Sequence, residues 1–124
     1  MALHAQAIAM GRRLDDPGMI AAALRSVATA RWLPQQVAAR ALDTLEAEHH
    51  AESIGDRERA LEAASWHLFN LMELGELSAH SRAFAAYVKL ADEVRQPFYQ
   101  YIGVSSRAMM ALFEGMLEDS GGLA

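Results

Sequence analysis

Apolar residues recur along this chain at steps of three and four. Phe84, Tyr87, Val88 and Ala91, for example, share one face of a helix. No run alternates apolar and polar residues for long enough to predict a strand. Six helices are predicted: about Ala2 to Arg13, Pro17 to about Leu33, Pro34 to the residue before Gly55, Arg57 to Leu74, Leu77 to Arg95, and Pro97 to Glu114. Pro17, Pro34 and Pro97 each open a helix, where the missing N–H costs no hydrogen bond. Joints of two or three residues make successive helices antiparallel.

The punctuation repeats every 40 residues. Leu14, Ile54 and Val94 are apolar residues just outside helix starts, and Asp16, Asp56 and Gln96 follow at the cap position. Within the helices Leu24, Ala64 and Val104 align, as do Ala28, Leu68 and Ala108. In a second register, Leu74-Gly75-Glu76-Leu77 matches Glu114-Gly115-Met116-Leu117. Glycine there supplies the left-handed residue that ends a helix. A repeat of this length predicts an all-α fold of stacked helical hairpins in one domain spanning 1–124.

Composition narrows the function classes. Hydrophobic residues make up 52% and charged residues 22%, a globular balance, and the apolar set is dominated by alanine, which favours helix. The net charge of −5 and the lack of a basic stripe argue against a nucleic-acid partner. No apolar run is long enough for a membrane span, and the opening MALHAQAIAMGRRL lacks the charged start of a signal peptide. The absence of cysteine fits a reducing cytoplasm, where the chain is expected to reside.

The stretch LGELSAHSRAFAAYVKLADEVRQP, Leu74 to Pro97, resembles the tetratricopeptide superfamily in its Gly75/Leu77 turn, its apolar second helix and its closing proline. It departs from that family in its period, 40 rather than 34. Ala64 also stands where the family has tryptophan, and His80 where it has a small residue. The long period is similar to helical arrays in large bacterial regulators, including LuxR-type ATP-binding transcription factors, bacterial transcriptional activator domains and some nucleotide cyclases. The resemblance implies a right-handed stack of antiparallel hairpins with a non-catalytic sensing or protein-contact role. It brings neither a phosphate-binding loop nor a DNA-binding helix pair. In this frame the chain opens within a second helix, and MLEDSGGLA follows a turn that would launch another. Either a longer array or a self-associating unit is therefore expected.

The same frame implies a concave face lined by the first helix of each hairpin. Its positions include Arg25, Trp32, Glu62, Phe69, Met72, Glu73, Met109 and Phe113, an apolar strip edged by charge. Such a strip is expected to hold a protein segment, a peptide or a small effector. The alternative is a homodimer sealed through this groove and the open ends, and the third reading is a small helical metalloenzyme. The corresponding core positions are Leu24, Ala28, Ala64, Leu68, Leu71, Val104, Ala108 and Ala111. Candidate chemistry is sparse. Glu46-x-x-His49 has di-iron spacing but no second such pair, and Ser105-Ser106 lacks a nucleophile elbow. Asn70 is similar to peptide-gripping asparagines of some tetratricopeptide domains but lacks their basic companions. His67 fits a helix interface. No enzyme activity, cofactor or metal is expected.

Overall fold

A computed structural model describes residues 2–115. They form six α-helices: α1 Ala2–Arg13, α2 Pro17–Ala30, α3 Val37–Ser53, α4 Arg57–Leu74, α5 Leu77–Val94 and α6 Pro97–Phe113. A single 3₁₀ turn, Pro34–Gln36, precedes α3, and no strand occurs among the described residues. None of these helices is long and apolar enough to cross a membrane. The expectation attached to Met116, Leu117 and the segment after them lies outside the described residues.

Helix starts follow the cap chemistry. Asp16 accepts a hydrogen bond from the Met19 amide at 3.0 Å, and Asp56 accepts one from the Arg59 amide at 3.1 Å. Each carboxylate thereby satisfies an amide that the first turn leaves unpaired. Gln96 makes no such bond, and α6 relies on Pro97 at its first position. Every helix end except that of α2 is followed by a left-handed residue. Asp15, Gly55 and Arg95 have positive φ, as do Gly75 and Gly115, so both series step by 40 residues. At Gly75 the chain reverses as its amide bonds to Met72 O and the Glu76 amide to Leu71 O, both at 3.0 Å.

One joint differs from the sequence expectation. The second helix stops at Ala30 rather than Leu33, and Pro34 opens a 3₁₀ turn instead of the third helix itself. The reason is local. A residue before proline is driven out of the helical region, and Leu33 is extended at φ −76 and ψ 142. Trp32 therefore sits on a linker, not on a helix face.

Each helix packs on the next along the chain, and α4 also reaches α6. One core joins Leu61, Ala64 and Leu68 of α4 to Tyr87 and Ala91 of α5 and Tyr99 of α6. A second joins Ile20 and Leu24 of α2 to Ala47 and Ala63, with Ile8 of α1 against it. Alanine allows the helices to approach closely. At Gly11, where α1 crosses α2, even a Cβ would meet Ile20 at 2.8 Å. Of the expected core positions, Val104 alone is exposed, at 46%.

Replacing Gly75 isolates the backbone term, because a Cβ there meets nothing within 4 Å. Gly75→Ala is expected to lower unfolding stability by about 1 kcal/mol, the cost of a side chain in the left-handed region. Urea denaturation measures this, and an unchanged midpoint would contradict it.

Candidate functional site

The most unusual side chain of the molecule is Arg40, on α3 and only 2% exposed. A guanidinium cannot be deprotonated at any ordinary pH, so its burial demands partners. Glu73 of α4 supplies one, with Arg40 Nη2 donating to its carboxylate at 2.6 Å. Trp32 supplies another, its ring 5.1 Å from the guanidinium carbon in a cation–π contact. The Arg40 Nε–H has no partner among the described residues. The linker that carries Trp32 is pinned in turn. Arg31 donates to Asp43 of α3 at 2.6 Å, and this pull opposes the burial that raises the Asp43 carboxyl.

An aromatic row extends from this pair. Trp32 meets Trp66 of α4 edge-to-face at 5.9 Å, and Trp66 lies 6.3 Å from Phe69 one turn on. Trp32 is 64% exposed and Phe69 37%, so the row is a surface and not a core. The structure thus groups three of the residues expected on the concave face, Trp32, Phe69 and Glu73, through two that the sequence reading missed, Trp66 and Arg40. Met72 is half-buried on the same helix.

The remaining expected residues fall elsewhere. Arg25 of α2 pairs with Glu62 of α4 at 3.2 Å, both half-exposed. They rim a cavity of about 120 Å³ whose other walls include Ala21, Ala47 and Ala63. On α6, Met109 is half-buried and Phe113 is exposed, with no aromatic contact to the Trp32 row. No family model, curated protein or solved structure matches this chain.

Behind the aromatic row, the α3–α4 interface carries a buried polar network. Thr44 Oγ1 lies 3.1 Å from His67 Nδ1 and accepts from Asn70 Nδ2 at 3.3 Å. Asn70 is therefore spent inside the fold and is not offered to a ligand. Burial holds His67 below the ordinary histidine value, which favours its neutral form. His80 on α5 is fully enclosed, stacks 6.1 Å from Phe84, and has no ring hydrogen bond among the described residues. Burial also holds its ring below the ordinary histidine pKa, which favours the neutral form. Glu46 pairs with Arg12 at 3.0 Å and lies 3.5 Å from His50, while His49 faces solvent. No cluster of three metal-ligating side chains occurs among the described residues.

Arg40 and Glu73 are not equivalent partners. Glu73→Ala leaves an enclosed cation without its carboxylate and is expected to cost about 1–3 kcal/mol. Arg40→Met leaves only a half-exposed carboxylate that water can solvate, so the loss is expected to be smaller. Denaturation of both variants decides the order; equal losses would contradict it.

Glu48, half-buried on α3, gives a pH test. Burial pushes its carboxyl from 4.5 up to about 7, and Glu52 adds to the effect. Between those values the native state holds the proton more tightly than the unfolded chain, so stability falls as pH rises. His67 and His80 act in the opposite sense, losing stability as pH drops below 6.5. Comparing Glu48→Gln with the parent isolates the carboxyl. The variant is expected to be more stable by about 1–3 kcal/mol at pH 8, with the gap closing by pH 4.5. A gap independent of pH would refute this assignment.

Proposed function

We propose that this chain is a non-catalytic helical-repeat module of a bacterial cytoplasmic regulator, built on the tetratricopeptide plan. In this reading the hairpins stack right-handedly and hold a partner helix, a peptide or a small effector on the concave face. The carrying observation is the row Trp32–Trp66–Phe69, exposed at Trp32 and Phe69 and half-buried at Trp66, beside the Arg40–Glu73 ion pair. An aromatic surface left in water beside a fixed charge pair has the makeup of a contact site. The 40-residue step of the left-handed joints and the serial packing of helices support the stacked plan. Half-buried Met72, on the same helix as Trp66 and Phe69, would let the surface adapt to its occupant.

Both tryptophans of the chain lie in this row, so intrinsic fluorescence reports the surface directly. Peptides selected by the chain from a displayed library are expected to be apolar and to shift tryptophan emission. They should lose at least about tenfold in affinity, about 1.4 kcal/mol, on Phe69→Asp. Circular dichroism should stay unchanged, because Phe69 is already exposed. Peptides that ignore both Phe69→Asp and Trp32→Ala would refute the assignment.

A further inference from the structure

Exposed side chains of α1 and α6 stand at repeat positions equivalent to those of a contact made inside the chain. Leu90 of α5 packs into the notch formed by Ala51 of α3 and Ala60 of α4. In the same region, Leu61, Ala64 and Leu68 of α4 share a core with Ala83, Leu90 and Val94 of α5. The 40-residue register gives each of these groups a counterpart. Ala51 and Ala60 correspond to Ala91 and Gln100, which line a crevice of about 270 Å³ between α5 and α6 together with Val88 and Val104 and the charged Asp92 and Arg107. Leu61 and Ala64 correspond to Tyr101 and Val104. Leu61 is 0% exposed, whereas Tyr101 is 66% exposed.

The inserting helix has a counterpart too. Ala83, Leu90 and Val94 stand 80 residues after Leu3, Met10 and Leu14, all three exposed. Leu3 and Met10 lie on one side of α1, with Leu14 in the turn just after it, whereas His4, Ala7, Ile8 and Gly11 turn inward. The first two turns of α6, Pro97 to Val104, carry no charged side chain to oppose them.

We propose that chains associate head to tail, with α1 of one copy seated against α6 of another and Met10 entering the α5–α6 crevice. The contact repeats the way α5 seats on α3 and α4, so the stack would continue from copy to copy. An interface of this kind joins two different surfaces, and it propagates as a ring or an open filament unless one surface is blocked. The inference rests on the stacked-hairpin reading but does not use the aromatic row.

Two blocked variants test it. Tyr101→Glu with Val104→Glu disables the α6 surface, and Leu3→Glu with Met10→Glu disables the α1 surface. All four positions are exposed, and circular dichroism checks that both variants stay folded. Should either unfold, Val104→Lys and Met10→Lys serve as the replacement pair. By sedimentation, the parent is expected to grow beyond a dimer as concentration rises, or to close into a ring. Each variant alone should be monomeric, and an equimolar mixture should form a one-to-one heterodimer and nothing larger. A parent that stays monomeric at all concentrations overturns the proposal. A variant that dimerises by itself also overturns it, since that indicates a two-fold contact. Phe69→Asp should leave the assembly intact; its loss in that variant would place self-association on the aromatic face and overturn the proposal.

Discussion

A guanidinium leaves water only where its charge and its planar donors are met, and the middle of this molecule is arranged around that demand at Arg40. Glu73 closes the ion pair from α4, and Trp32 covers the guanidinium face from the linker before α3. Arg31, held by Asp43, keeps that linker in place. With Trp32 placed, half-buried Trp66 and exposed Phe69 continue the row behind it. One buried charge thus fixes a helix pair, an irregular joint and the surface proposed to meet a partner.

The interface on which Arg40 sits is not a plain apolar seam. Thr44 continues the polar line inward, its hydroxyl meeting both His67 Nδ1 and the Asn70 amide. Buried polar networks of this kind set the register of two helices more sharply than interchangeable alanines can. The alanine-rich contacts elsewhere supply closeness rather than direction. Ala47, Ala51, Ala60 and Ala63 let α2, α3 and α4 meet with almost no side chain between them.

Polar and apolar surfaces are divided by helix register. On α4 one face enters the shared core through Leu61, Ala64 and Leu68, while Trp66 and Phe69, two and five residues after Ala64, turn outward. On α6 the corresponding core positions split: Ala108 and Ala111 are covered, whereas Tyr101 and Val104 are exposed. The aromatic row and the exposed faces of α1 and α6 are therefore distinct features of the surface.

Much of the fold was legible in the chain. Capping aspartates, helix-opening prolines and left-handed glycines act over three or four residues, so their spacing alone located four helix starts and the 40-residue step. The third start was misplaced by three residues because Pro34 begins a 3₁₀ turn, a choice no side-chain pattern announces. The expected surface was legible only in part: phase placed Phe69 and Glu73 on one helix face, but it also carried Trp32 onto a helix that ends at Ala30. Arg40 and Trp66 were invisible as members. Arg40 lies 33 residues from Glu73, and a surface arginine and a buried one look alike in sequence. Local hydrogen bonding and periodicity, which act between near neighbours, were thus determined by the sequence read by itself. Which charge is buried, which aromatic is left in water and which core position lies open were decided only by the tertiary structure, because each depends on what a distant helix brings alongside.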